Sequence, residues 1–352
     1  MPTVVPDIEM PARAILTRGP ESVRWIDVRS DRERAAHGWI DRSIRIADED
    51  AVEAALRDDD IEIVAVICAT GRRSAMHAHK LRDRGHTRAV SVAGGMAAWI
   101  AADLPVVGGD ERHSRQIVLP QVGIDGQARI AAARVLIIGA GGLAAPVISY
   151  LAGAGIGTLG IVDGDRVERS NLHRQPIHSD ARVGLAKVDS AAASIRELSP
   201  ATNMIAHNVF LSTDNADDIV DAGWDVIVDC TDDVSARIAL NTSAIRAGIP
   251  VVHGAVDQFE GRVAVFGVGD EGPCFICLYP NADPGAARSC AEAGVLGVAP
   301  GTVGMLQASE ALKLVLGIES PLTRGVLVAD LLTMQFTTIP LRRASNCAAC
   351  GA

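Results

Sequence analysis

The sequence RVLIIGAGGLAAPVISYLAGAGIGTLGIVDGD, residues 134–165, decides the fold of the larger part of this 352-residue chain. An apolar strand over Val135–Ile138 runs into a glycine-rich loop, then a helical stretch, then a second apolar strand that ends at an acidic residue. In parallel α/β sheets such a loop presents backbone N–H groups to a phosphate at the start of the helix. The segment therefore predicts an α/β unit that binds a nucleotide.

The same segment admits a second interpretation, a membrane span, because residues 135–162 contain no charged residue and are long enough to cross a bilayer. Seven glycines interrupt this run, and β-branched residues cluster at its two ends. These features suit two buried strands better than one helix. We therefore expect a soluble chain with no membrane partner.

Composition narrows the classes of protein further. With 48% hydrophobic residues, the chain can bury a large core and has room for two or three domains. A formal net charge of −10 and an aromatic content of 3% argue against a nucleic-acid groove. The first residues lack a basic stretch followed by a long apolar one, so we expect no secretory signal and a cytoplasmic protein.

A proline- and glycine-rich break at residues 104–110 divides the chain. Before it, short apolar strands alternate with charged, helix-like stretches, a pattern typical of a small α/β domain. We place this domain at residues 1–107, a linker at 108–111 and a second domain at 112–352. The expected strands are 23–28, 61–67, 89–92, 224–229, one from 251 onward and two within 325–340, and the expected helices are 75–85, 187–198, 234–247 and 304–316.

Three glycines form the candidate phosphate loop of the second domain. Gly139, Gly141 and Gly142 permit a tight turn and a close approach of backbone to phosphate, with Ala144 in the third, helix-packing position. Asp163 ends the second strand, 21 residues after Gly142, where a carboxylate can accept ribose hydroxyls. Because this pattern serves dinucleotide enzymes and ATP sites alike, a nicotinamide dehydrogenase remains open on these residues alone.

Polar residues after the loop favour ATP. The stretch SNLHRQ supplies Asn171, Arg174 and Gln175, and VGLAKV supplies Lys187. Any one of these, taken alone, is more simply a solvated surface residue. Two cations and two amides behind one loop suit a triphosphate, which carries far more charge than a pyrophosphate bridge. The joint pattern therefore favours ATP over a dinucleotide.

The stretch DCTDD, residues 229–233, follows another apolar strand. The carboxyl ends of parallel strands collect ligands, and carboxylates there can hold a Mg²⁺ ion that bridges phosphates. We choose Asp232 as that ligand. Cys230 is better interpreted as a small buried apolar residue.

Four of the seven cysteines form two pairs with metal-knuckle spacing, Cys274-x-x-Cys277 and Cys347-x-x-Cys350. In a reducing compartment, paired spacing of this kind predicts one structural Zn²⁺ held by four thiolates. A redox pair would need a thioredoxin-like setting, which neither pair has. Zinc would then attach the C-terminal segment to the domain.

A further cysteine, Cys68, begins the stretch CATGRRS after an apolar strand and before a helix-like segment. Such a loop directs backbone N–H groups and a helix dipole at the sulfur, lowers the pKa of the thiol and stabilises a persulfide anion. Arg72 and Arg73 add positive charge. The spacing to Arg73 is one residue shorter than the Cys-x₅-Arg loop of cysteine phosphatases, which encloses a phosphate, so the smaller loop fits sulfur.

Residues 112–352 resemble the MoeB/ThiF/HesA adenylyltransferases, the bacterial relatives of ubiquitin-activating enzymes. The motifs that carry the resemblance occur in the family's order: RHSRQIVLP, GAGGLAAPV, VDGDRVERSNLHRQ, VGLAKV, DCTDD, PCFICL and SCAEAGVLGVAPGTVGMLQASEALK. Ala144 departs from the family's commoner glycine. The resemblance implies ATP contacts from Gly142, Asp163, Asn171, Arg174 and Lys187, Mg²⁺ at Asp232, and Arg115 reaching the phosphates of the other subunit in a homodimer.

The same resemblance implies a reaction. The C-terminal Gly-Gly carboxylate of a ubiquitin-like sulfur carrier attacks the α-phosphate of ATP and gives an acyl-adenylate and pyrophosphate, a step that needs positioning and charge neutralisation. Cys290, in SCAEAGV, matches the family's thiol. It would accept the acyl group as a thioester or resolve an acyl disulfide; the alternative is an exposed cysteine without a role, because adenylation needs no thiol.

Residues 8–107 resemble a single-domain rhodanese, through WIDVRSDRERAAHGWIDRSI, CATGRRS and VAGGMAAWIAADLPV. This resemblance implies that Cys68 carries a persulfide, with thiosulfate or a cysteine desulfurase persulfide as the sulfur donor. The alternative is a rhodanese fold kept only for binding.

Together the two resemblances imply an α/β protein in which a small rhodanese-like domain precedes a Rossmann-like domain of the E1/ThiF type, with a mixed sheet and a structural zinc site. The expected activity is adenylation of a Gly-Gly carrier followed by sulfur transfer from Cys68, for molybdopterin, thiamine, cysteine or tRNA thiolation. In the fusions of this type known to resemble it, the rhodanese follows the adenylyltransferase. A dehydrogenase and a non-catalytic binding module are the other classes considered.

Overall fold

The structure is a computed structural model that describes residues 7–19, 21–47, 49–57, 60–269, 272–283 and 294–351. The chain forms two compact units, Met1–Ile124 and Asp125–Ala352. The boundary between them falls within a helix and about fifteen residues after the predicted linker.

The first unit is built on a five-stranded parallel sheet in the order β1-β5-β4-β2-β3. All five residues of the central strand β4 are buried, as expected for a parallel strand covered on both faces. The strands are β1 (Glu9–Met10), β2 (Val23–Asp27), β3 (Ile44–Arg45), β4 (Ile63–Ile67) and β5 (Ala89–Val92), and the helices are α1 (Ala12–Leu16), α2 (Asp31–His37), α3 (Glu49–Arg57), α4 (Arg72–Asp83), α5 (Gly95–Ala101) and α6 (Ser114–Ile117).

The predicted strands of the first unit are confirmed, with shorter limits for two of them. The sequence predicts a helix at residues 75–85, whereas helix α4 begins three residues earlier, at Arg72. Gly71, with φ 92°, makes the turn into the helix, a conformation that a residue with a side chain rarely adopts. Helix α4 therefore starts within the Cys68 loop itself and directs its first turn at the loop.

The second unit is built on an eight-stranded mixed sheet in the order β13-β12-β11-β10-β9-β6-β7-β8. The five strands from β10 to β8 are parallel, and β10 to β13 form an antiparallel extension. The strands are β6 (Arg134–Ile138), β7 (Thr158–Val162), β8 (Asn203–His207), β9 (Val226–Asp229), β10 (Val251–Asp257), β11 (Glu260–Phe266), β12 (Gly325–Asp330) and β13 (Gln335–Pro340).

Helices cover this sheet. They are α7 (Gly123–Ala132), α8 (Ala144–Ala154), α9 (Lys187–Leu198), α10 (Ala216–Val220), α11 (Val234–Ala247), α12 (Phe275–Leu278) and α13 (Val298–Leu316), with 3₁₀ turns at Arg169–Asn171, Asp180–Arg182 and Pro321–Arg324. One core cluster joins Leu136, Trp224, Leu240 and Phe266. Helix α13 packs on α8 and across β9, β10 and β11.

The mixed sheet confirms the predicted fold class of the second domain. The limits of α9, of α11 and of the two terminal strands lie where the sequence predicts them. Strand β9 begins at Val226 rather than Trp224, and α13 begins at Val298, six residues earlier than predicted. Gly301 and Gly304 weaken the helical pattern over those residues, yet packing on α8 keeps them helical. Among the described residues, no helix combines the length and apolar character that a membrane span requires.

Candidate active site

The glycine loop lies between β6 and α8 at the carboxyl edge of the parallel strands. Gly139 has a φ of 98°, and a Cβ there would lie 3.0 Å from the carbonyl oxygen of Cys230. A Cβ at Gly142 would lie 3.1 Å from the Cβ of Pro300. The backbone conformation therefore strongly favours glycine at Gly139, and a side chain at Gly142 would be tightly packed against Pro300.

A cavity of about 400 Å³ opens at this edge, beside the ends of β6, β7 and β9. It is large enough for a nucleotide. Its polar lining includes most of the predicted nucleotide residues, namely Gly139, Gly141, Gly142, Asp163, Arg174, Gln175, Lys187 and Asp232, together with Asp165 and Arg237. Asn171 is not among the lining residues.

Asp163 follows β7 directly and binds the glycine loop. Its carboxylate accepts a hydrogen bond from the backbone N–H of Ala140 at 2.7 Å and another from that of Asp165 at 2.8 Å. Each carboxylate oxygen keeps further lone pairs for a ligand. Asp163 thus shapes the phosphate loop as well as facing the cavity, and its predicted contact with ribose remains a prediction.

Lys187 is the first residue of α9, and its side chain is 7% exposed. Its Nζ donates to Asp165 Oδ2 at 2.7 Å, and its backbone N–H donates to the carbonyl oxygen of Asp165 at 2.9 Å. A lysine at this depth needs a partner because desolvation penalises its charge. The sequence analysis missed Asp165; its position two residues after Asp163, in DGD, was the available signal.

Arg174 and Gln175 follow the 3₁₀ turn Arg169–Asn171. The guanidinium of Arg174 donates from Nη2 to Asn171 Oδ1 at 2.8 Å. Asn171 does not line the cavity, but through this hydrogen bond it orients Arg174, which does. Gln175 is 4% exposed, and its Oε1 has no hydrogen-bond partner within the described parts of the chain. A buried amide oxygen of this kind needs a donor, which a ligand in the cavity can supply.

The three carboxylates of DCTDD differ in their burial and in their hydrogen-bond partners. Asp229 is buried and pairs with His253 Nδ1 at 2.7 Å and Arg237 Nε at 3.3 Å. Asp233 caps α11 by accepting from the backbone N–H of Ser235. Asp232 is exposed, lines the cavity and has no partner among the residues that the structure describes. Asp232 is therefore the carboxylate left free for a cation.

The other two residues predicted to be catalytic in the adenylyltransferase region are Arg115 and Cys290. Arg115 is an exposed residue of the short helix α6 in the first unit. Cys290 falls outside the described residues. Their roles in catalysis remain predictions.

The four knuckle cysteines come together, although 70 residues separate the two pairs. Their sulfur atoms all lie within 4.8 Å of one another. The Sγ···Sγ distances are 3.6 Å for Cys274 and Cys347, 3.5 Å for Cys277 and Cys350, and 3.8 Å for Cys274 and Cys277. Thiolates around Zn²⁺ at about 2.3 Å in a regular tetrahedron lie about 3.8 Å apart, so the cluster fits the ion.

Cys230, at the end of β9, is 6% exposed, and burial raises the pKa of its thiol well above the usual value. It is a buried thiol, as predicted.

In the first unit, Cys68 follows β4 and its side chain is enclosed by the loop that leads into α4. The backbone N–H of Gly71 donates to its Sγ at 3.1 Å, and Ser74 Oγ donates at 3.3 Å. Burial raises the pKa of the Cys68 thiol, but hydrogen bonds from Ser74 and from the loop amides outweigh it, so the pKa lies below that of an ordinary cysteine. The loop thus surrounds the Cys68 sulfur with the donors that the sequence predicts, and the binding of a persulfide there remains a prediction.

Arg73, whose positive charge is expected to act on the Cys68 sulfur, is paired with a carboxylate. Both Nη atoms of Arg73 bind the carboxylate of Glu33, one of them at 3.1 Å. Glu33 is held in turn by Ser30, whose backbone N–H donates to it at 2.9 Å in a capping box of α2. The sequence analysis missed Glu33, although the Ser-x-x-Glu spacing at residues 30–33 predicts a fixed carboxylate at the start of a helix.

Comparison with known proteins matches residues 113–349 to the ThiF family and residues 12–102 to the rhodanese-like domain. A sulfur carrier protein adenylyltransferase of Thermus thermophilus is 45% identical over 246 residues, 68% of this chain and 90% of that protein. A SAMP-activating enzyme E1 of Haloferax volcanii is 45% identical over 242 residues, 68% of this chain and 88% of that protein.

A third relative, adenylyltransferase and sulfurtransferase MOCS3 of Drosophila grimshawi, is 44% identical over 241 residues. The match covers 68% of this chain, and the chain spans about half (54%) of that relative's length.

Solved structures share the fold. Escherichia coli MccB superposes with a TM-score of 0.61 at 19% identity, covering 68% of this chain and 72% of MccB. PaaA superposes with a TM-score of 0.56 at 22% identity, covering 71% of this chain and 81% of PaaA. The chain belongs to the ThiF family, and a rhodanese-like domain precedes its ThiF region.

Proposed function

We propose that this protein is an ATP-dependent adenylyltransferase that activates the C-terminal Gly-Gly of a ubiquitin-like sulfur carrier and transfers sulfur to it from Cys68. The observation that supports the first step is the cavity at the carboxyl edge of the second sheet. It combines the glycine loop, the buried cation Lys187, the unpartnered oxygen of Gln175 and the free carboxylate of Asp232.

In the adenylation step, a carboxylate oxygen of the carrier attacks the α-phosphorus of ATP, the bond to the β-phosphate oxygen breaks, and pyrophosphate leaves. Lys187 and Arg174 would neutralise the phosphate charge, and the N–H groups of the glycine loop would bind phosphate oxygens. Mg²⁺ would bind at Asp232 and add positive charge at the phosphates. In a homodimer, Arg115 of each subunit would reach the other subunit's site.

The alternative of a nicotinamide dehydrogenase is disfavoured by the stretch SNLHRQ and by Lys187. They bring Arg174 and Lys187 to the cavity beside the glycine loop, and these two cations suit a triphosphate better than a pyrophosphate bridge. The family relationship also supports ATP, since the relatives named above are adenylyltransferases or an activating enzyme.

In the second step, a persulfide on Cys68 attacks the acyl carbon of the adenylate, and AMP leaves. The product is an acyl disulfide between the carrier and Cys68. A second thiolate, from Cys290 or an external thiol, then attacks Cys68 Sγ, forms a new disulfide and releases the carrier as a thiocarboxylate. An external thiol reductant returns Cys68 to the thiol. Holding both activities in one chain raises the effective concentration of sulfur near an intermediate that water can hydrolyse.

The four-cysteine cluster would hold a structural Zn²⁺ that attaches residues 347–350 to α12. Burial raises the pKa of the Cys274 thiol to about 11, so binding of the ion would have to displace protons. The carrier partner follows from the relatives' names, and the donor would be thiosulfate or a cysteine desulfurase persulfide. We assign residues 1–107 to the rhodanese-like domain, 112–352 to the adenylyltransferase domain, and the protein to the cytoplasm.

The test is the intact mass of a Gly-Gly-ending carrier of the molybdopterin-synthase or thiamine type, incubated with the protein, Mg-ATP and thiosulfate. We expect a mass gain equal to the exchange of oxygen for sulfur, lost in Cys68→Ala. The matched control is Cys230→Ala, which removes a buried thiol outside the sulfur pathway.

The outcomes separate the two halves of the proposal. ATP-dependent adenylylation without sulfur gain, or with a gain that survives Cys68→Ala, would leave an activating enzyme whose rhodanese-like domain only binds a carrier or donor. No change in any carrier and no ATP–pyrophosphate exchange would contradict the enzyme assignment altogether.

A further inference from the structure

A buried polar cluster lies directly behind the loop that carries Asp232. It consists of Asp229 at the end of β9, Arg237 on α11 and His253 on β10. Their side chains are 3%, 11% and 0% exposed. Charged groups persist at such depth only when their partners compensate for lost hydration, so the arrangement of these partners is specific.

Arg237 and Asp229 hold Thr231, the residue immediately before Asp232. Arg237 Nη2 donates to the carbonyl oxygen of Thr231 at 2.5 Å and to that of Gly254 at 2.9 Å. The backbone N–H of Thr231 donates to Asp229 Oδ1 at 3.2 Å. Both polar groups of the Thr231 backbone are therefore bound to the cluster, and the direction in which Asp232 leaves the strand depends on it.

His253 fixes the other carboxylate oxygen. Its Nδ1 lies 2.7 Å from Asp229 Oδ2, and because a carboxylate only accepts hydrogen bonds, Nδ1 carries the proton and donates it. Burial lowers the pKa of His253, so the ring is neutral and Nε2 carries none. The ring also contacts the rings of Phe266 and Phe275, at centroid distances of 5.4 and 5.5 Å.

We propose that His253 is a positioning residue for the nucleotide site: by holding the carboxylate of Asp229, it keeps Arg237 on Thr231 and so fixes the backbone that presents Asp232. The proposal deepens the proposed function, since it assigns a support to the carboxylate expected to bind Mg²⁺. It also gives the aromatic residue after Cys274 a role, because Phe275 holds the histidine ring.

Loss of the histidine would release the cluster in a defined way. Without the Nδ1 donor, Asp229 Oδ2 is free to rotate toward Arg237 and bind it at two nitrogens, as carboxylates prefer to do with a guanidinium. Arg237 would then leave the carbonyl oxygen of Thr231. The loop would lose one of its two attachments, and Asp232 would bind a cation less well.

The test compares three variants of the full chain. His253→Leu removes the donor. His253→Asn keeps a donor, because its Nδ2 sits at the position of the histidine Nδ1. Phe266→Leu, the matched control, loosens the ring packing and leaves the hydrogen bond in place. Two quantities are measured: amide hydrogen exchange of the peptide containing residues 229–233 without nucleotide, and the Mg²⁺ concentration at half-maximal ATP binding by calorimetry.

We expect His253→Leu to raise both the exchange rate of this peptide and the Mg²⁺ concentration at half-maximal ATP binding about tenfold. This is the effect of removing a hydrogen bond to a charged group. His253→Asn should lie within about twofold of the wild type, and Phe266→Leu should lower the thermal midpoint without changing either quantity. Wild-type values for His253→Leu would overturn the proposal, as would equal losses in the asparagine variant or in Phe266→Leu.

The exchange measurement separates this proposal from the proposed function. If the wild type binds no Mg-ATP, the nucleotide assignment fails, and unchanged exchange in His253→Leu would still overturn the positioning role by itself. If the wild type binds Mg-ATP and the loop exchanges at the same rate in all variants, only the positioning role fails.

Discussion

Two glycines of helix α13 provide a matched pair of substitutions that tests the packing behind the nucleotide site. A Cβ at Gly304 would lie 2.1 Å from the carbonyl oxygen of Leu143 and 2.6 Å from Pro146 Cγ. A Cβ at Gly301, three residues earlier on the same helix, would have no atom of the described residues within 4 Å. Leu143 joins the glycine loop to α8, so Gly304 lets α13 press against the nucleotide loop.

The two substitutions should change the free energy of unfolding in opposite directions. Real Cβ atoms essentially never lie closer than 3.0 Å to a neighbour, so in Gly304→Ala the helix and the loop must separate by about 1 Å. Overpacking of this kind costs about 1–3 kcal/mol. In Gly301→Ala only the gain in helix propensity remains, about 0.5–1 kcal/mol. Both variants gain this propensity, so they should differ by the overpacking cost, about 1–3 kcal/mol, with Gly304→Ala the less stable.

Differential scanning calorimetry of both variants measures this difference, which corresponds to about 2–12 °C in the midpoint of the second unit. Because Leu143 moves, Gly304→Ala should also bind Mg-ATP more weakly than Gly301→Ala. If Gly304→Ala melts at or above the temperature of Gly301→Ala, the close approach of α13 to the loop does not exist and the reasoning is refuted.

Three further outcomes are expected. Ser74→Ala removes a donor to the Cys68 sulfur and should raise the pKa of that thiol, measured from the pH dependence of alkylation of the Cys68 peptide. Because the pKa of Cys68 is lowered in the folded state, ionisation of the thiol adds stability at alkaline pH, and this stability is lost as the pH falls through that pKa. Ser74→Ala should lose this added stability. An unchanged pKa in the variant would contradict the role assigned to Ser74. Lys187→Ala should lower kcat/KM for ATP–pyrophosphate exchange by at least about a hundredfold, whereas the exposed control Lys80→Ala should leave it unchanged. Cys347→Ser should reduce bound zinc and lower the midpoint of the second unit by several degrees; full zinc content in the variant would argue against the four-thiolate site.

Much of the candidate site could be predicted because its signals are local. The glycine loop is required by backbone conformation at Gly139 and by contacts within a few residues of a strand end. The cradle of Cys68 needs only a strand, a short loop and the first turn of a helix. The paired spacing of the four cysteines likewise indicated a metal site before any distance was known.

The partners of the site's charged groups could not be predicted. The sequence indicated Asp232 as the cation ligand of DCTDD, but it did not show that Asp229 is buried against His253 while Asp232 faces the cavity. The same holds for Arg73, which the sequence assigned to the sulfur and which Glu33 binds. These pairings depend on where distant strands and helices come together.

The sequence by itself determined the two α/β domains, several of their strands and helices and the positions of the loops that carry chemistry, because periodicity and turn residues act over a few neighbouring positions. Only the tertiary structure decided which ionisable groups neutralise one another and which remain free to bind a ligand. The reason is physical: a side chain's charge state and freedom depend on burial and on neighbours far away in the chain, as for Lys187 with Asp165 and Asp229 with His253.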